Sequence, residues 1–162
     1  MPEPATVVYW GTLTVKRGVL SLRAERPDAP DSQTGRDSDR GTTSGRRILM
    51  IEDDAALAGM YQRRLERDGH QVVLASTGAD GMDLARREAF DLTFLDLGLP
   101  DRDGIDLLHD LRAEVHDAAV VVLTNFSDTQ ARKRSLELGA RAYVIKADVT
   151  PAWLAQHVDT WI

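Results

Sequence analysis

Four short apolar runs in this chain each end on a residue suited to phosphate or a divalent cation. Ile48-Leu49-Met50-Ile51 leads into Glu52-Asp53-Asp54. Leu92-Thr93-Phe94-Leu95 ends on Asp96, Val120-Val121-Val122-Leu123 ends on Thr124, and Tyr143-Val144-Ile145 ends on Lys146. Runs that are apolar at nearly every position, rather than at alternate ones, belong to strands covered on both faces, as in parallel sheets. Open α/β sheets gather their ligands at the carboxyl ends of such strands. A site built from Glu52, Asp53, Asp96, Thr124 and Lys146 is therefore expected at one edge of the sheet.

The segments between the runs read as helices. Leu57, Met60, Tyr61 and Leu65 fall at helical spacing, and Gly69 stands where a helix C-cap belongs. Val72 to Ala75 reads as a second strand. Ser76 or Thr77 can cap a helix carrying Ala79, Met82 and Ala85, and Asp54 can cap the helix after the first strand. Ile105, Leu108, Leu111 and Val115 mark another helix, and Ser127 or Asp128 can cap the next, which stops at Gly139. Thr150-Pro151 is a cap followed by a favoured first-turn proline, opening a last helix with Trp153, Leu154, His157, Val158, Trp161 and Ile162 on its apolar face. Right-handed crossovers then favour a doubly wound, flavodoxin-like α/β fold: a five-stranded parallel sheet of order 2-1-3-4-5 with helices on both faces.

The chain divides near Arg47. From Pro27 to Arg47 there is no aromatic residue and no aliphatic one larger than alanine, so residues 27–47 read as a flexible linker that cannot offset its ordering entropy by burial. Residues 1–26 form an N-terminal extension in which Leu13, Val15, Leu20 and Leu22 alternate with polar residues around Lys16-Arg17-Gly18, a possible β-hairpin or an irregular tail. Residues 48–162 form the expected globular domain. The net charge of -6 is uneven. Residues 1–47 carry eight Lys/Arg against six Asp/Glu, whereas residues 48–162 carry twelve against twenty. An acidic globular part argues against direct DNA binding, which favours a basic face. There is no cysteine to make a disulfide frame or a thiolate metal site. No apolar run approaches the ~18 residues of a membrane span, and no secretory signal is evident, so a soluble cytoplasmic protein is expected.

In the order 2-1-3-4-5 the first and third strands are neighbours, so Glu52, Asp53 and Asp96 project from one edge. Clustered carboxylates repel one another and call for a cation, and an all-oxygen donor set suits Mg²⁺ or Mn²⁺. A lysine supplies a compact positive charge for phosphoryl oxygens, a hydroxyl supplies a donor, and a carboxylate can itself accept a phosphoryl group.

Residues 48–162 resemble the receiver domain of two-component response regulators. ILMIEDD resembles that family's first strand, DLTFLDLGLPDRDG its third strand and following loop, and VVVLTN and GARAYVIK its fourth and fifth strands. The resemblance implies that Asp96 is the phosphoacceptor, that Asp53 ligates Mg²⁺ directly while Glu52 holds a metal-bound water, and that the Gly98 carbonyl completes the protein's coordination. It implies that Thr124 and Lys146 bind phosphoryl oxygens and that Tyr143 is an aromatic switch turning inward with Thr124. The implied donor is a histidine kinase or phosphotransfer protein. The implied output is a protein-protein surface on the fourth helix, fifth strand and fifth helix, near the basic cluster Arg132-Lys133-Arg134. The expected protein is a single-domain phosphoacceptor rather than a dedicated enzyme.

Three features depart from the family pattern. Asn125 stands where a small residue usually follows the threonine, and Ala147 stands where a cis proline usually follows the lysine. The span from Asp96 to Thr124 is slightly short, a difference that falls between Val115 and Ala119. A phosphorylation-independent pseudo-receiver remains the alternative reading. A phosphohydrolase of the related acid-site type is disfavoured because Gly98 stands where such enzymes carry a second aspartate.

Overall fold

The computed structural model describes residues 45–115 and 119–162. The expected hairpin or tail at residues 1–26, the linker as far as residue 44, and most of the shortened 115–119 loop lie outside these residues. Strands β1 (Arg47–Ile51), β2 (Gln71–Ala75), β3 (Leu92–Leu95), β4 (Ala119–Thr124) and β5 (Ala142–Ile145) alternate with helices α1 (Ala55–Arg67), α2 (Gly78–Arg87), α3 (Gly104–Glu114) and α4 (Thr129–Glu137). A 3₁₀ turn (Lys146–Asp148), α5 (Pro151–Gln156) and α6 (Val158–Trp161) complete the chain. The strands are parallel in the order β2-β1-β3-β4-β5, as expected from the sequence. Among the described residues no helix is long and apolar enough to cross a membrane.

Strand periodicity divides the core into two layers. Ile48, Met50, Leu92, Phe94, Val121 and Leu123 face one cluster with Ala58, Tyr61 and Leu65 of α1 and Leu154 of α5. Leu49, Ile51, Leu95, Val120 and Val122 face the other, with Met82 of α2 and Leu107, Leu108 and Leu111 of α3. Because both faces are covered, every residue of β3 and β4 is buried, which explains the continuous apolar runs.

The helix ends follow capping chemistry. Asp54 accepts from the amides of Ala56 and Leu57, Thr77 from Asp80, Asp103 from Ile105 and Asp106, Asp128 from Ala131, and Thr150 from Trp153. Thr77 and Asp128, rather than Ser76 and Ser127, are thus the caps of α2 and α4. At the end of α1, Gly69 has φ +96°. Its amide donates to the Glu66 carbonyl, and the His70 amide donates to that of Leu65, the paired bonds of a Schellman motif. The same pattern closes α4 at Gly139.

Four local expectations are corrected. The ladder begins at Arg47, assigned above to the linker, because Arg47 pairs with Gln71 and its amide donates to the Asp91 carboxylate at 2.7 Å. Met60 is 38% exposed; Ala58 takes its place on the buried face of α1, with Tyr61 and Leu65. The last helix is not continuous. His157 Nδ1 bonds the Trp153 carbonyl at 2.7 Å, the acceptor its own amide would use in an α-helix, and that amide turns to the Leu154 carbonyl instead. The helix breaks there, and Ile162 is left 44% exposed rather than on an apolar face. Trp161 still meets the edge of Phe94, with ring centroids 5.8 Å apart.

Gly69→Ala isolates the cost of the left-handed backbone, because a Cβ at Gly69 meets nothing within 4 Å. The substitution is expected to lower unfolding stability by about 1 kcal/mol, measured by urea denaturation, with the native spectrum unchanged.

Candidate phosphoacceptor site

The carboxyl ends of β1, β3, β4 and β5 bring five of the expected side chains to one opening of about 310 Å³. It is lined by Glu52, Asp53, Asp96, Thr124 and Lys146, and by Gly98, Asn125 and Phe126 from the adjoining loops. Lys146 is central. Its Nζ lies 2.5 Å from Glu52 Oε2 and 2.7 Å from Asp96 Oδ2, and all three residues are buried. Asp53 is exposed at the rim. Asp96 Oδ1 accepts from the Gly98 amide at 3.0 Å, so each oxygen of this carboxylate holds one donor. Asp54 points to the α1 amides rather than into the cluster.

The electrostatics follow from burial around one cation. Burial raises the pKa of the Glu52 carboxyl, and the Lys146 ammonium offsets only part of the rise. Burial works against the Lys146 charge as well, but its bonds to Asp96 and Glu52 prevail and its pKa is raised. Lys146 is therefore charged throughout the neutral range, and this part of its stabilising effect is lost only as pH climbs through its elevated pKa.

One ammonium does not neutralise three carboxylates. Glu52, Asp53 and Asp96 can each offer an oxygen within 4.8 Å of the others. This hard, all-oxygen donor set fits Mg²⁺ or Mn²⁺.

The β4–α4 loop covers the other side of the site. Thr124 is fully buried, and its Oγ1 accepts from the Phe126 amide at 3.4 Å. Tyr143, half-buried on β5, donates its hydroxyl to the Phe126 carbonyl at 2.9 Å; burial raises its pKa. Phe126 is 53% exposed, and its ring lies 3.4 Å from where a Gly98 Cβ would sit. Sequence reasoning missed Phe126. The available signal was a large aromatic in the polar stretch Asn125-Phe126-Ser127-Asp128, outside the periodicity of either flanking element. Asn125 is exposed at the opening. After Lys146 the chain enters the 3₁₀ turn, with no cis peptide bond among the described residues. Ala147 thus follows a different path from the cis linkage of the family pattern, and Lys146 still reaches Asp96.

A family model for the response regulator receiver domain matches residues 48–159. The chain belongs to this family. Among curated relatives, the cell cycle transcriptional regulator CtrA of Caulobacter vibrioides is 35% identical over 100 residues, which are 62% of this chain and 43% of CtrA. The transcriptional regulatory protein PdtaR of Mycobacterium tuberculosis is 34% identical over 124 residues, 74% of this chain and 60% of PdtaR. The receiver chain thus spans less than two thirds of the length of either relative. A CheY-like receiver domain protein from Methanospirillum hungatei superposes with a TM-score of 0.69 at 30% identity, covering 72% of this chain and 93% of that one. A response regulator from Burkholderia pseudomallei, whose structure holds a phosphorylated aspartic acid and a calcium ion, has a TM-score of 0.63 at 28% identity, covering 71% and 69%. Receiver domains work in two-component signalling, where they interact with histidine kinases or phosphotransfer proteins, and Mg²⁺ binding at an acidic cluster is general in the family.

Removing the central cation should expose its role. Lys146→Ala leaves Glu52 and Asp96 buried without their shared partner and is expected to cost roughly 3 kcal/mol at pH 7. The Glu52 carboxyl, already raised by burial, then loses the ammonium that offset part of the rise. Folding binds protons, and stability should return as pH falls from neutrality toward the ordinary glutamate value of 4.5. Urea unfolding midpoints across this range test the sign; a variant that is equally unstable at both ends contradicts it.

Proposed function

We propose that this chain is a phosphoacceptor in which Asp96 takes a phosphoryl group from the phosphohistidine of a histidine kinase or phosphotransfer protein. The carrying observation is the buried Lys146–Asp96 contact of 2.7 Å at the floor of an open acidic site. One oxygen of Asp96 attacks phosphorus as the P–N bond breaks, and the departing imidazole keeps the electron pair of that bond. Lys146 then meets a phosphoryl oxygen with the ammonium it now shares between Asp96 and Glu52. The Thr124 hydroxyl, which accepts from the Phe126 amide, has its own proton to donate to another phosphoryl oxygen. Asp53, Asp96 and the Gly98 carbonyl are assigned to Mg²⁺ or Mn²⁺, with Glu52 holding a metal-bound water. When bound, the cation neutralises charge on the phosphoryl group in transfer. The phosphorylated aspartate and calcium ion of the Burkholderia pseudomallei relative support this assignment.

The signal leaves through Thr124 and Tyr143. Both bond to Phe126, one at its amide and one at its carbonyl. Drawing Thr124 toward a phosphoryl group frees that amide and re-sets the loop that holds Tyr143. The output surface is the face of α4, β5 and α5, where Arg132, Tyr143, Asp148 and Trp153 line a groove of about 210 Å³. We assign this receiver domain an output by protein-protein contact through that face, and no dedicated enzymatic activity beyond its own phosphorylation and dephosphorylation.

Incubation with acetyl phosphate and Mg²⁺ should add one acid-stable, base-labile phosphoryl group by intact mass. Asp96→Asn should keep the fold and gain none; undiminished modification of Asp96 variants at this site would sink the assignment. Asn125, whose amide can hold a phosphoryl oxygen at the opening, is expected to shield the product from water. Asn125→Ala should therefore shorten the lifetime of the labelled protein once the donor is removed, whereas slower decay means that Asn125 assists water instead.

A further inference from the structure

The loop after β3 is fastened to a helix that contributes nothing else to the acidic site. Asp101 accepts from the Gly78 amide at 2.8 Å through Oδ1 and from the Ala79 amide at 2.9 Å through Oδ2. Gly78 and Ala79 open α2, more than twenty residues earlier in the chain. This is not the ordinary cap of α2. Thr77 fills that position and accepts from Asp80, so Asp101 satisfies two first-turn donors that a single N-cap side chain leaves open. Those two amides hold the Asp101 carboxyl below the usual carboxylate range, the Gly78 bond contributing most.

The rest of the loop is held differently. At one end the Gly98 amide donates to Asp96 itself. At the other, Asp103 caps α3, and Gly104 sits so close to Leu97 that a Cβ would come within 2.4 Å of its Cα. Leu99 is buried between these ends. Asp101 thus ties the middle of the loop, three residues beyond Gly98, to a separate element of the fold. A ligand carbonyl on a loop fixed before binding does not have to be ordered by the ion, and the side chains that hold such ligands in place affect affinity without touching the metal.

We propose that Asp101 is a positioning residue for the divalent cation: by clamping the β3–α3 loop to the first turn of α2, it holds Gly98 ready to coordinate, and cation occupancy in turn orders that turn. The inference rests on the assignment of Gly98 and Asp53 as ligands. The coupling is reciprocal by thermodynamic necessity, which provides a readout independent of phosphorylation.

The test titrates the full chain with Mg²⁺ alone by calorimetry and follows amide hydrogen exchange at Gly78 and Ala79. In the parent, exchange at both amides should slow on adding Mg²⁺. Asp101→Ala should weaken Mg²⁺ binding about tenfold and abolish the Mg²⁺-dependent slowing. Asp101→Asn, which keeps one acceptor oxygen, should fall between the two and serves if the alanine variant is too unstable to titrate. Thr77→Ala removes the ordinary cap of the same helix; it should lower stability yet bind Mg²⁺ as the parent does. Parental affinity in both Asp101 variants overturns the proposal. So does an equal loss in Thr77→Ala, which would make the effect one of helix stability alone. A parent that binds no Mg²⁺, or an Asp53→Asn variant that binds it as well as the parent, overturns the ligand assignment and the proposal with it. Parental binding that needs Asp53 but not Asp101 overturns the proposal alone.

Discussion

An ammonium group held out of water between two carboxylates governs the C-terminal edge of this sheet. Lys146 arrives from β5, Glu52 from β1 and Asp96 from β3, and none of the three is more than 7% exposed. Each charge would be costly to bury alone, and their mutual contact makes the arrangement tolerable. The strand order brings the three ends together, because β1 and β3 are neighbours and β4 alone separates β3 from β5. The site is thus left with more negative charge than one lysine can balance, and with an exposed Asp53 at its rim. That imbalance is a standing attraction for a hard cation.

Around this centre, short polar side chains anchor the loops. Asp54, Asp103 and Asp128 each cap the helix that follows their own strand, so the chain turns sharply after delivering its functional residue. Asp101 works across elements instead of within one. The β4–α4 loop, besides its Asp128 cap, is held by hydroxyls. Its Phe126 backbone is shared between the hydroxyls of Thr124 and Tyr143. Side-chain bonds to backbone amides therefore hold the loop on the acceptor and cation side of the opening, and the hydroxyls of Thr124 and Tyr143 hold the Phe126 backbone on the other.

Much of the fold was legible because its determinants are local. A strand covered on both faces has to be apolar at successive positions, and Ile48–Ile51, Leu92–Leu95 and Val120–Leu123 are. A left-handed helix end favours glycine, and Gly69 and Gly139 supply it. The misread points share a different cause. Met60 has helical spacing but looks outward, since the face of α1 is set by where β1 and β2 lie. The last helix breaks at His157, where the imidazole bonds the Trp153 carbonyl and the amide turns to that of Leu154, an arrangement that carries no spacing signal. Asp101 could not be singled out in sequence, since its partners are amides of a distant helix.

The sequence alone determined the parallel α/β class, the strand order through handed crossovers, and the identity of the charged residues at the strand ends. These follow from burial periodicity and capping chemistry, which act over a few residues. Only the tertiary structure decided which carboxylates Lys146 joins, that Phe126 links Thr124 to Tyr143, and that Asp101 fastens the β3–α3 loop to α2. Those contacts depend on distances between elements far apart in the chain, and such distances exist only once the two apolar layers have closed around the sheet.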